Sequence, residues 1–169
     1  MTAKQNLEQY VAYNLWANQT IVAYVSRCSD TQFEQDNGSS FPSLRKTILH
    51  ICDAEVLWMN RLEGVSLSQF PSANFNGSNA EMLSMLVAAS TDFLTKVCAL
   101  TAKTLETKLT YTTISYGQTS QTQYNMVHHC MNHSTFHRGQ IITFLRQLGF
   151  TDLPHLDFML YLMNNKANH

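Results

Sequence analysis

Asn125–Phe150 reads NMVHHCMNHSTFHRGQIITFLRQLGF, and it carries four of the chain's seven histidines. Counting in sevens from Val127 gives a row of Val127, Cys130, Ser134, His137, Ile141, Phe144 and Leu148, the spacing of a helix that buries one stripe. His137 therefore stands where a core residue belongs, and His133 lies one turn earlier on the same face. His129 extends the row backwards, while His128 points about 100° away, toward the surface. Ser134 is small and leaves room beside the two rings. The stretch predicts a long last helix over about 121–148, with Ser120 and Gln123 as a capping box and Gly149 as its stop.

Working outward, three more stretches share the helical period. Residues 4–28 place Leu7, Tyr10, Asn14, Ala17, Ile21, Tyr24 and Cys28 on one face; "SDTQFEQDNGSSFP" then breaks the pattern. Residues 43–63 carry Leu44, Thr47, Ile51, Ala54 and Trp58, and Gly64 stops them. Residues 79–101 follow a Ser78/Glu81 capping box, with Leu83, Leu86, Ser90, Phe93 and Val97 inward. "KLTYTTISYGQ" is rich in Thr and Tyr and predicts extended structure or a short hairpin; "DLPHLDFMLYLMNN" predicts a short C-terminal helix. Four long helices of similar length, with no internal repeat or linker, predict an all-α four-helix bundle, a single domain over 1–169.

The totals exclude several classes. Eleven Lys and Arg stand against twelve Asp and Glu, so electrostatic capture of nucleic acid or an anionic membrane is not expected. No uninterrupted apolar run approaches a membrane span, and MTAKQNLEQY lacks the apolar core of a secretory signal. Cys28, Cys52, Cys98 and Cys130 are widely spaced, without C-x-x-C, and read as reduced thiols of a cytoplasmic protein.

Burying two imidazoles is costly unless their nitrogens find partners, and one cation can serve both. His50, beside the inward Ile51, is the only histidine in the first three helices; if helices two and four are neighbours, it can face His133 and His137. Three imidazoles would leave open positions on the ion, as in catalytic sites. Neutral imidazole suits Zn, Ni, Cu or Fe alike. H-S-T-F-H lacks the glutamate of H-E-x-x-H, which argues against the metalloprotease route. Asp53, three residues after His50, reads as a partner behind the ligands, a proton acceptor, an extra ligand, or a plain solvated or capping carboxylate.

"YNLWANQTIV", "SLRKTILHICDAEVLWMNRLEG" and "HHCMNHSTFHRGQIITFLRQLG" resemble, in order and over nearly the whole chain, the DinB-like (DinB/YfiT-like) superfamily, most specifically in "NHSTFHRGQI". The resemblance implies a four-helix bundle with a long connection before the last long helix, and a divalent metal held by His50, His133 and His137. It gives His129 to the pocket wall or to a supporting position. It brings in Arg138, Gly139 and Gln140 as "HRGQ": Arg138 to pair with an acidic partner, Gly139 to allow close helix contact. Trp16 and Asn18 match "WAN", with packing and a helix–helix hydrogen bond as their plainer roles; Trp58 is pocket wall or core. Characterised relatives of this kind include thiol-dependent transferases and isomerases using bacillithiol, mycothiol or glutathione. The expectation is therefore a metal-dependent S-transferase, with zinc or nickel and a low-molecular-weight thiol cosubstrate. It would act on a small-molecule electrophile near "LTYTTISYGQ", where Tyr111, Tyr116 or Asp53 could orient it. A metal-dependent hydrolase and a non-catalytic metal- or ligand-binding stress protein are the alternatives. A homodimer is also expected.

Overall fold

The computed structural model describes residues 1–165, so 166–169 of the expected 1–169 unit lie outside the described residues. Four long helices form the body: α1 (Ala3–Val25), α3 (Leu44–Leu62), α4 (Asn79–Ala99) and α6 (Gln123–Gln147). Between them lie a one-turn α2 (Asp30–Glu34), a 3-10 turn (Pro71–Asn74), a short α5 (Ala102–Glu106) and the hairpin β1 (Lys108–Thr113)–β2 (Gly117–Thr122); α7 (Phe158–Asn165) closes the described chain. The architecture is the all-α bundle expected, with the extended segment before the last long helix and the short C-terminal helix in place.

Local chemistry sets the helix ends. Thr2 with Gln5 and Ser78 with Glu81 form reciprocal capping boxes that satisfy the first free N–H groups of α1 and α4. Gly64 and Gly149 adopt φ +78° and +87° and end α3 and α6. The Gly64 N–H donates to Arg61 O and the Gly149 N–H to Arg146 O, the left-handed turn that only glycine enters without strain.

Three boundaries differ from the sequence reading. Ser120 lies within β2, so α6 is capped by Thr122, whose side chain accepts from the Asn125 N–H. The break after α1 contains α2, held by its own Ser29/Gln32 capping box and anchored by buried Phe33. Cys28 falls beyond the end of α1, and the buried face of α1 is Leu7, Val11, Tyr13, Asn14, Ala17, Asn18, Ile21 and Val25; Tyr10 and Tyr24 sit at its margin.

α1 and α3 each pack against both α4 and α6, so α1 and α3 are diagonal to one another. Two apolar clusters fill the interior. One gathers Ile21, Ile48, Leu86, Ile141 and Phe144; the other gathers Leu7, Val11, Phe93, Val97, Val127 and Met131. This distribution has α1 and α6 running one way and α3 and α4 the other. The α3–α4 connection consequently travels back along the bundle, and Asp53 of α3 fastens it there by accepting hydrogen bonds from the Ser72 N–H (2.8 Å) and Oγ (2.6 Å). By length and apolar composition α4 could span a membrane. In the fold its Leu83, Leu86, Phe93 and Val97 are buried in the bundle.

A polar layer separates the two clusters. Fully buried Glu55 accepts from Asn14 Nδ2 (2.7 Å), Asn18 Nδ2 (2.9 Å) and Ser90 Oγ (2.6 Å), with Ser134 Oγ at 3.4 Å. Buried Arg138 donates to the Asn14 and Asn18 side-chain oxygens. All four long helices thus meet at one carboxylate. The expected acidic partner of Arg138 is reached through two amides rather than directly. Asn18 makes the helix–helix bonds anticipated for it. Trp16 packs with Tyr13 and with Tyr161 of α7, and the Tyr13 hydroxyl donates to Leu156 O (2.6 Å), which docks the C-terminal segment. Gly139 is exposed, and a Cβ added there would meet nothing within 4 Å, so it does not mediate close helix contact.

Candidate metal centre

Because α3 and α6 are neighbours, the i, i+4 pair on α6 confronts His50 across their interface. The His50 ring centroid lies 4.7 Å from His133 and 4.6 Å from His137; His133 and His137 are 4.4 Å apart. The ligand nitrogens of the three all lie within 4.8 Å of one another. His133 Nε2 and His50 Nε2 approach to 2.9 Å. Two nitrogens bound at about 2.0–2.1 Å to one ion stand roughly 2.9–3.4 Å apart as their angle opens from 90° to tetrahedral, so this spacing fits a shared cation.

The electrostatics keep the lone pairs free. Burial lowers the His50 pKa to about 4, and the nearby His137 ring opposes a second positive charge. Burial brings His133 to about 3, with His137, His50 and His129 acting in the same direction. His137 is also lowered by burial, partly offset by its bond to Gln140. In that bond Nδ1 stands 2.7 Å from Gln140 Oε1. An amide oxygen only accepts, so Nδ1 carries the proton and Nε2 keeps the lone pair. Gln140 thus orients a ligand from behind, as outer partners of metal-bound histidines do. His133 Nδ1 is buried with no partner.

One side of the cluster is closed. Phe41, from the loop before α3, stacks on His50 at 3.8 Å between centroids and meets His137 edge-on at 5.4 Å. The other side opens into a cavity of about 590 Å³ reached by His50 and His133 and roofed by the hairpin through Tyr111, Ile114 and Tyr116. His129 lines this cavity against Trp58, 4.9 Å away, and stays outside the cluster; burial first, and then Arg61, lower its pKa. Trp58 lines the cavity and also packs against the second apolar cluster, so it serves as wall and as core at once.

Asp53 is the sequence candidate that the structure directs elsewhere. It is absent from the cluster, and Ser72 occupies both its oxygens, while burial raises its pKa against those bonds. Asp53→Ala should leave metal content unchanged and cost about 1–3 kcal/mol of stability, read by inductively coupled plasma analysis beside a thermal melt. Loss of the metal would restore its candidacy as a ligand. Phe41, Glu55 and Arg61 were not singled out from the sequence. Glu55 carried the clearest signal, an acid one turn after inward Ile51. Phe41 sits in a loop without periodicity.

Comparison with known proteins bears on the same positions. The family model of the DinB family matches residues 1–167. The chain belongs to the DinB family. It is 27% identical over 162 residues to Protein DinB of Bacillus subtilis (strain 168), covering 92% of each chain. Its fold is similar to that of a DinB-like protein from Bacillus subtilis known by crystal structure, with TM-score 0.68 and 17% identity over 88% of this chain and 98% of that one. The DinB fold assigned from the three quoted blocks is therefore the one observed, and its histidine cluster can hold a divalent metal ion.

Proposed function

We propose that this DinB-family chain is a metal-dependent enzyme that joins a small thiol to a small electrophile, with His50, His133 and His137 holding zinc or nickel. The observation that carries this reading is the convergence of three neutral imidazoles on one point beside a largely apolar cavity. No Cys, Asp, Glu or fourth His joins them among the described residues, so an ion held there keeps room for an outside ligand. When bound, the ion would lower the pKa of a thiol held against it, and the thiolate is the reactive form.

The chain's own groups supply the rest. Gln140 fixes the His137 tautomer, and Phe41 shields the cluster from the side opposite the cavity. Trp58, Ile114 and Met126 give the electrophile an apolar surface from which water is displaced. Sulfur bonds to the electrophilic carbon, the leaving group departs with its electron pair, and the thiol proton passes to neutral His129 or to solvent. Tyr111 and Tyr116 lie where they can orient the electrophile.

The test is metal analysis of protein purified without a histidine tag, followed by thiol consumption with a panel of electrophiles. Near-stoichiometric metal and metal-dependent loss of free thiol are expected. Product formed from water alone would make the protein a hydrolase. Metal without turnover would make it a binding protein.

The pKa values set the pH dependence. A histidine whose folded pKa lies below its unfolded value of about 6.5 stays neutral in the fold until pH falls toward the lower value. Metal affinity in a competition titration should therefore persist below the pH near 6.5 at which free imidazoles would lose the ion, and collapse as pH falls toward 4 and 3, following His50 and His133. Collapse already centred near 6.5 would mean that the rings are not buried against one another. In the metal-free protein the same shifts make stability full above about pH 6.5, decreasing as pH falls through that value, because the unfolded chain takes up protons first.

A further inference from the structure

Arg61, in the last turn of α3, is only 6% exposed, and its side chain makes no hydrogen bond or ion pair among the described residues. Its Nε is sealed from solvent without a partner, and the residue lines the cavity beside the histidine cluster. The guanidinium lies over Trp58 at 4.5 Å and over Tyr111 at 5.1 Å. Two aromatic faces lower the cost of burying the cation but accept none of its N–H groups. A buried charge without a counter-ion is costly, and it recurs where a ligand brings the missing charge. The other buried arginine shows the contrast at its terminal nitrogens: the Arg138 Nε is unpartnered too, but its two terminal groups donate to Asn14, Asn18 and Thr135.

We propose that Arg61 is the anion receptor of the cavity and binds the carboxylate of a small, mainly apolar organic acid. A planar fork of donors matches a carboxylate in two parallel bonds. The walls around it are Leu57, Trp58, Phe70, Ile114 and Met126, which suit an apolar body attached to a single negative charge. Inorganic phosphate, more highly charged and wholly polar, would find one cation and no further donors of that kind. The proposal deepens the thiol-transfer reading by naming the charge that one cosubstrate carries. The binding itself requires no ion.

The test compares benzoate with benzamide and benzyl alcohol by calorimetry, on protein with its metal and on protein stripped by a chelator. Benzoate should bind about ten- to a hundredfold tighter than its neutral analogues in both forms, the range for hydrogen bonds to a charged group. Arg61→Gln should bring that ratio to near one. Arg61→Lys keeps charge and volume while losing the fork, and should retain part of the preference, which preserves the test if the Gln variant fails to fold. A ratio near one in the wild-type protein, an unchanged ratio in both variants, or tighter binding of inorganic phosphate than of benzoate would each overturn the proposal. Protein that holds no metal yet prefers benzoate removes the metal reading and leaves this one standing. Protein that holds metal but shows no preference does the reverse.

Discussion

His133→Ala is expected to weaken metal binding by more than about a hundredfold, beyond the loss usual for an outer partner of a ligand. The residue supplies the nitrogen that faces His50 at 2.9 Å, and its own ring is the most strongly suppressed in basicity of the three. The same substitution should leave the metal-free protein as stable as the wild type, or more so, because it removes a half-buried imidazole whose Nδ1 has no partner. Opposite signs on metal affinity and metal-free stability are the mark of a side chain kept for its ligand rather than for the fold. Competition against a chromophoric chelator gives the first quantity and a melt in chelator gives the second. A variant that retains metal at wild-type affinity would end the three-histidine assignment.

Glu55→Ala should destabilise the protein by about 3–5 kcal/mol, because it removes the acceptor shared by all four long helices and strands the donors around it. For a chain of this size that corresponds to a fall in Tm on the order of 10 °C. Burial raises the Glu55 pKa, while its bonds to Ser90, Asn14 and Asn18 and the Arg138 charge pull it back down. Glu55→Gln should cost less but still leave an amide N–H among groups that already donate. Chemical denaturation of the two variants checks the order, and a loss under 1 kcal/mol for the alanine would mean that the polar layer is ornamental to stability.

The bundle was legible because its seam is nearly regular. Every residue counted inward on α6 from Val127 to Phe144 is buried, and so is each of the five chosen on α4. His137 was legible as an imidazole interrupting that stripe and His133 as its neighbour one turn earlier, whereas His50 flanks its own stripe and stood out as the lone histidine of the first three helices and through the family resemblance. The reading of α1 counted Leu7, Asn14, Ala17 and Ile21 correctly but slipped at Tyr10 and Tyr24, which sit at the margin, and at Cys28, which lies beyond the helix, while Val11, Tyr13 and Val25 fill the face. Asp53 was open between the cluster and a capping role: three residues from His50 brings it near the cluster's face, and Ser72, nineteen positions along, takes its carboxylate. Arg61 escaped because a basic residue near a helix end reads as a partner of the terminal carbonyls. Its two aromatic neighbours include Tyr111, from a hairpin whose docking nothing in the local pattern foretells.

That hairpin differs from the rods beneath it. Its second strand leaves Gly117–Gln121 exposed, and the β1–β2 pairing is complete within itself. The ion-holding groups stand on helices tied together by Glu55, whereas the roof above them contributes chiefly shape. Residues 113–121 can therefore be rewritten with little penalty to the scaffold. A lineage that diversifies its chemistry would be expected to edit that ribbon first, keeping the same anchored trio under a changing lintel.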